Sequence, residues 1–276
     1  MTAYPAMLDV PQELVDLLAD LLAAERVRLG TRPGTRALTC EKQAIMALVW
    51  FRGQRDVALV GKGLGISQAT SYRYLDEAVR VLAARAPGLH DALQRGHDEG
   101  LSHLVLDGTV VETDRLRAKK TSTKGKTIDA WYCGKTHGFG GNVQALTRPD
   151  GFPIWVSEVE PGGTHDMTAA REHVLGALYA AAAKGLPTLA DPGYEGAGQG
   201  VHTPVKQPAD KSELDLNTRT RNMLLRSLRC LGERGFALLT QRWRALQHIT
   251  TSPSKITKIA RAALVLTHFE HGYLTC

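Results

Sequence analysis

The run "HLVLDGTVVETDR", residues 103–115, reads as a buried β-strand that carries a carboxylate. Val105 and Leu106 lead into Asp107, and Gly108, Thr109, Val110 and Val111 follow it. An ionised carboxylate among such neighbours is costly unless something compensates it. Any fold this chain adopts must therefore answer for Asp107. A second strand has the same form: "LPTLADPGY" is a short apolar run that ends at Asp191 before Pro-Gly-Tyr. Taken alone, an aspartate at a strand end is an ordinary turn or cap residue. Two in matching contexts can share a cleft, where each raises the other's pKa unless a cation neutralises them. Hard oxygen ligands favour Mg²⁺ or Mn²⁺.

Residues 10–95 have a helical texture. Leu14, Leu17, Leu18, Leu21 and Leu22 recur at helical intervals behind Pro11. A second helix follows in "TCEKQAIMALVWFRG", with Thr39 as N-cap and Gly53 as stop. Then a short helix holding Val57, Leu59 and Val60 meets a turn at Gly63 and Gly65, and Ser67 caps a further helix. On that helix Ala69, Tyr72 and Leu75 are expected to face inward. The spacing is that of a helix-turn-helix, whose second helix enters a DNA groove N-terminus first. Ser67, Gln68, Thr70, Ser71 and Arg73 would then reach bases or phosphates; the alternative is an ordinary helical hairpin.

After residue 98 the pattern changes to strands over 103–111, 140–147 and 153–159, the last two separated by "RPDG". A helix is expected from about Asp166 to Ala183, a strand ending at Asp191, a long helix over 217–248 and a last one near 253–270. This is a mixed α/β layer preceded by an all-α region. The long helix would gather Leu224, Leu228, Leu239, Trp243 and Leu246 on one face, with Glu233 off it beside Arg226, Arg229, Thr240 and Arg244. Glu233 there is either half of a solvated Arg229–Glu233 pair or a third acid; spacing alone leaves both open.

"LVLDGT", "NVQALTRPDGFPIWVSEVEPGGTHDMTAAR", "LADPGYEG" and "GERGFALLTQRWRAL" resemble, in order, blocks of bacterial insertion-sequence transposases of the DDE superfamily endonuclease group, relatives of Harbinger-type transposases. The resemblance spans roughly residues 38–250, and the helix-turn-helix matches the group's N-terminal module. It implies a ribonuclease H-like core whose catalytic, metal-binding acids fall on Asp107, Asp191 and Glu233. It implies two Mg²⁺ (or Mn²⁺) ions, cleavage of double-stranded DNA at terminal inverted repeats, and strand transfer to a target site. It further implies a homodimer assembled on DNA in a bacterial, nucleoid-associated setting. The expected division is a helical region 1–98 with the DNA-binding module at about 40–85, a catalytic domain 99–250 and a helical tail 251–276. Related transposases carry Tyr, Arg and Lys at positions seven before, four before and seven after the glutamate. Here these are Arg226, Arg229 and Thr240, so the arginine alone is kept, and Arg242 or Arg244 is the substitute phosphate contact. Two other readings stand beside this one: a catalytically silent, transposase-derived DNA-binding regulator, or another ribonuclease H-like nuclease.

"RLRAKKTSTKGK", residues 115–126, has six basic residues and no acid. It reads as a solvated loop or as a phosphate-tracking one through residues such as Lys119 and Lys120. "YCGKTHGFGGN" resembles the group's "Y-S-G-K-x-H" block, which implies Lys135 and His137 as DNA contacts, with an ordinary loop histidine the alternative for His137. Asp166 reads as a helix cap; the resemblance also allows it a supporting role near the active site, but not that of a metal ligand. His103 and His173 read as incidental, and Trp155 as core. The formal charge of +6 and pI of about 9.2 permit a polyanionic partner. Cys40, Cys133, Cys230 and Cys276 have no CxxC spacing, which points away from zinc and disulfides and towards a cytoplasmic setting. The absence of any run of eighteen apolar residues points away from a membrane.

Overall fold

The computed structural model describes residues 8–53, 56–121, 125–210 and 212–274, with Glu233 described in its backbone alone. The chain divides into two compact units: Met1–Ala86 with Leu239–Gln247 and Lys258–Cys276, and Pro87–Leu238 with His248–Thr257. No described helix is long and apolar enough to cross a membrane.

The first unit is helical. It contains α1 (Gln12–Arg28), α2 (Cys40–Gly53), α3 (Val57–Gly63) and α4 (Gln68–Ala83). Thr39 caps α2 by accepting from the Lys42 N–H at 3.2 Å, and α2 ends at Gly53. Leu14, Leu18 and Leu22 of α1 pack in a core with Ala47, Leu48 and Phe51 of α2 and Leu75, Ala78 and Leu82 of α4. Gln43 is fully buried and satisfied: its amide donates to Tyr74 O and Glu77 Oε2 and accepts from Arg26. Trp243, also fully buried, meets Phe51 edge-to-face at 6.3 Å and donates its indole N–H to Thr267 Oγ1.

α3 and α4 are joined by a turn in which Gly65 adopts φ +74°, a conformation that favours glycine. Asp56 caps α3 and Ser67 caps α4 by accepting from the Thr70 N–H. The inward face of α4 is Ser71, Tyr74, Leu75 and Ala78; Ala69 and Tyr72 point to solvent, against expectation. The phase is set by Gly61, where a Cβ would fall 1.7 Å from Ser71 Oγ. Ser71 is the residue the two helices close upon, and its hydroxyl is spent on Ser67 O.

The second unit opens with α5 (Leu89–Asp98) and is built on a mixed sheet. Its strands are β1 (Leu104–Thr113), β4 (Tyr132–Cys133), β5 (Gly138–Thr147), β6 (Pro153–Val156), β7 (Glu160–Pro161), β8 (Thr188–Ala190), β9 (Val201–His202) and β10 (His248–Ile249), with β2 (Lys119–Thr121) and β3 (Thr127–Asp129) as a separate hairpin. β5 runs antiparallel to β1 and to β6, as the "RPDG" turn requires, and β8 and β10 run parallel to β1. Trp155 on β6 is core.

Two expected helices are each broken in two. The one over 166–183 becomes α6 (Asp166–His173) and α7 (Leu175–Ala183), parted at Val174, whose φ is −140°. The one over 217–248 becomes α8 (Leu216–Arg229) and α9 (Glu233–Arg242), followed by a 3₁₀ turn at Arg244–Leu246. The break falls at Cys230–Gly232, so the single apolar stripe does not exist. Leu239, Trp243 and Leu246 are buried, while Leu224 and Leu228 are 55% and 49% exposed. The last helix, α10 (Ile256–Glu270), lies where expected.

Candidate active site

Strand pairing brings the two aspartates together. β1 and β8 are parallel neighbours in the register Leu104↔Thr188, Val105↔Leu189, Leu106↔Ala190, and the next residue on each strand is an aspartate. Paired strands lie ~4.8 Å apart, so Asp107 and Asp191 emerge side by side although 84 positions separate them in sequence. Asp191 also caps the 3₁₀ turn Pro192–Tyr194, accepting from the Gly193 N–H at 2.7 Å. Asp191 is thus a cap residue that also stands beside Asp107.

Asp107 is poorly compensated. It accepts from the Gly108 N–H at 3.0 Å, yet burial first, and then Asp191 and Asp166, push its pKa up to about 6. The Arg229 guanidinium pulls the other way without cancelling them. Arg229 is half-buried at the end of α8, and its Nε has no hydrogen-bond partner among the described residues. A carboxylate held short of full ionisation beside a second one is a donor set that suits a hard divalent cation.

The third expected acid can be followed only through its backbone. Glu233 begins α9, and its side chain lies outside the described residues. The glycines around it show where that backbone runs. A Cβ on Gly232 would fall 2.5 Å from Val105 Cγ1, and one on Gly235 would fall 2.3 Å from Thr147 Cγ2. Val105 pairs with Thr147 across β1 and β5. Side chains alternate along a strand, so Val105 and Asp107 share a face, two residues or roughly 6.6 Å apart. The start of α9 thus lies against the Asp107 face of the sheet. Among the described residues no group of three His, Cys, Asp or Glu side chains stands in metal-holding geometry.

Behind Gly108, on the other face, lies a polar cluster that the sequence did not announce. Tyr194 donates its hydroxyl to Gln144 Oε1, Gln144 Nε2 donates to Asn142 Oδ1 at 2.7 Å, and Asn142 Nδ2 donates to Asp166 Oδ1 at 2.7 Å. Gln144, Tyr194 and Asn142 are buried. Burial, reinforced by Asp166, Asp107 and Asp191, raises the Tyr194 pKa and keeps the phenol a neutral donor. Asp166 is the first residue of α6, not its cap: His165 occupies the cap position, and no side-chain cap bond forms there. The capping expectation fails because Asn142 holds the carboxylate. The available signal was the i, i+2 spacing of Asn142 and Gln144, two amides in an otherwise apolar β5.

Residues 106–268 match the family described as DDE superfamily endonuclease. The chain belongs to that family. The match runs from the residue before Asp107 to the last turn of α10, and it carries a nuclease or transposase-type function with it. No curated protein and no solved structure matches the chain.

The other expected contact residues of this DDE endonuclease are spread over both units. Ser67 and Thr70 sit at the exposed start of α4, where Arg73 donates to Thr70 Oγ1, and Gln68 is also exposed. Ser71 is buried and cannot reach a ligand. Lys119 pairs with Asp129 across the β2–β3 hairpin, and Lys120 donates to Gly163 O at 3.0 Å, so both tie the hairpin down. Lys124 lies outside the described residues. Lys135 and His137 are exposed on the turn before β5, with His137 at φ +52°. Arg242 is held by Asp9 and Glu270, while Arg244 is exposed. His103 is buried with its pKa lowered by burial, and His173 bonds Glu160 at 2.9 Å.

Proposed function

We propose that this chain is the transposase of an insertion sequence, cutting double-stranded DNA at the terminal inverted repeats and joining the freed 3′ ends to a target site. The observation that carries the reading is the side-by-side placement of Asp107, within β1, and Asp191, directly after the parallel strand β8, with burial and its acidic neighbours raising the pKa of Asp107. Asp107, Asp191 and Glu233 would hold Mg²⁺ or Mn²⁺, two ions in all. The ions, when bound, supply charge for the attacking and leaving oxygens of an in-line phosphoryl transfer.

The remaining steps fall to the chain's own residues. Asp107 and Asp191 enter as carboxylates fixed by strand register, with the Gly108 N–H holding one oxygen of Asp107. Arg229, half-buried with an Nε unpartnered among the described residues, is placed to donate to a phosphate of the bound strand. α3 and α4 act as a helix-turn-helix: Ser67, Gln68, Thr70 and Arg73 lie at the exposed N-terminal end of the second helix. Lys135, His137, Lys119 and Lys120 would add phosphate contacts, and the chain would work as a homodimer that pairs two ends.

The test is cleavage of a labelled duplex bearing the element's terminal repeats, with Mg²⁺ or Mn²⁺. Asp107→Ala, Asp191→Ala and Glu233→Ala should each abolish cutting while the protein still retards the duplex in a gel. Cutting that persists in all three variants sinks the assignment.

A further inference from the structure

The buried polar chain behind Gly108 has one hydrogen-bond direction, and that direction is set at a single end. At that end Asp166 Oδ1 accepts a hydrogen bond from Asn142 Nδ2. The same amide nitrogen also donates to Thr164 O at 3.1 Å, which uses both its hydrogens. Asn142 can then offer only Oδ1 to Gln144, whose Nε2 donates to it at 2.7 Å. Gln144 is left with Oε1 as an acceptor, and Tyr194 supplies the proton. Every flip of an amide would set like against like, so the chain has one low-energy arrangement.

The places it joins matter more than its length. Asn142 and Gln144 belong to β5, next to β1, and Gln144 pairs with Gly108. Tyr194 closes the 3₁₀ turn that Asp191 caps. Asp166 opens α6. A Cβ on Gly108 would fall 2.6 Å from Gln144 Nε2, 2.8 Å from Asp166 Oδ1 and 2.9 Å from Tyr194 OH. The three groups therefore converge on the Cα next to Asp107, and the absent side chain is what admits them. One end of the network grips the turn of Asp191, and its middle lies against Gly108, the residue after Asp107.

We propose that Tyr194, Gln144, Asn142 and Asp166 form a positioning network that fixes the Asp107 and Asp191 carboxylates at the separation a divalent cation requires, with Asp166 setting its direction. The inference rests on the metal-dependent reading above. Asp166 acts here through Asn142 rather than as a ligand, and Tyr194 acts through the turn it anchors.

Binding of Mn²⁺ alone, measured by titration calorimetry on the full chain, tests it. Tyr194→Phe removes one oxygen and leaves Gln144 Oε1 without a donor; Asp166→Ala removes the terminal acceptor; Asp166→Asn keeps an acceptor oxygen without the charge. Tyr194→Phe and Asp166→Ala should weaken Mn²⁺ binding about tenfold or more, while Asp166→Asn stays within about threefold of the parent. On the terminal-repeat duplex, the first two should lower kcat at fixed Mn²⁺ and leave the KM for DNA unchanged. Mn²⁺ affinities of Tyr194→Phe and Asp166→Ala within twofold of the parent overturn the proposal, as does Asp166→Asn binding no better than Asp166→Ala. A Tyr194→Phe protein that fails to fold assigns the chain to stability alone and overturns it too. A parent that takes up no Mn²⁺ overturns the metal reading and this proposal together. Normal parent binding with unmoved variants overturns this proposal alone.

Discussion

Replacing Asp107 by Asn should stabilise the metal-free protein, because the native carboxylate is strained by its own site. Burial and two neighbouring acids raise its pKa from 3.8 to about 6. The folded state therefore holds the proton more tightly than the unfolded chain does. The stability this confers is fully present below pH ~4 and is lost as pH rises through about 6. The shift of about 2 units corresponds to a penalty of about 3 kcal/mol once both states are ionised. Asn is close to isosteric, and its Oδ1 can still accept from Gly108, so the variant escapes most of that penalty. The assay is urea unfolding in EDTA at a series of pH values. At pH 7.5 Asp107→Asn should exceed the parent by up to about 3 kcal/mol, and the advantage should shrink to nothing by about pH 4. Adding Mn²⁺ should reverse the order, since a ligand stabilises the form that binds it by RT ln(1 + [L]/Kd). A variant less stable than the parent at pH 7.5 in EDTA, or an advantage that does not change with pH, would refute the claim that Asp107 lacks internal compensation.

Gly61→Ala puts a Cβ 1.7 Å from Ser71 Oγ and should cost about 1–3 kcal/mol by overpacking; retention of terminal repeats in a gel should fall, and an unchanged gel shift would separate α3 and α4 from DNA recognition. Arg229→Ala should raise the Asp107 pKa further above about 6, since Arg229 is the charge that lowers it, which the pH series in EDTA would register. Trp243→Ala empties a fully buried indole site and should cost about 3–5 kcal/mol, read as a lower midpoint in thermal melts; a shift under a degree would mean the helical unit does not depend on that contact.

Much of the catalytic scaffold was legible because strands announce themselves by runs and turns. β1, β5 and β6 fall where Val, Leu and Ile cluster, and "RPDG" marks their hairpin. The helix breaks were not legible. At Val174 the only nearby breaker, Gly176, sits inside the next helix and does not mark the change, and over 217–248 a periodic leucine pattern continues across a real interruption. Periodicity records which residues would share a face if the helix were continuous, and Gly232 decides that it is not. The phase of α4 was misread for a related reason: a buried serine carries no apolar signal, and its burial depends on a glycine ten residues earlier.

The site divides along the same physical line. Asp107 and Asp191 could be found because a charge at the end of an apolar run is anomalous wherever it occurs. Asn142 and Gln144 left only the faint signal of two amides at i, i+2 in β5, and Tyr194 left none, because amides and phenols in strands and turns are ordinary until their partners are known. Asp166 was seen and misassigned, since an acid at a helix start has a local explanation that needs no tertiary contact. The structure removes that explanation by giving its oxygen to Asn142. The acids proposed to do chemistry stand out by position in the sequence, whereas the residues proposed to hold them in place are satisfied and therefore look unremarkable there. In this chain Gly108 bridges the two kinds. It follows the costly carboxylate in sequence, and its missing side chain admits the satisfied network in space.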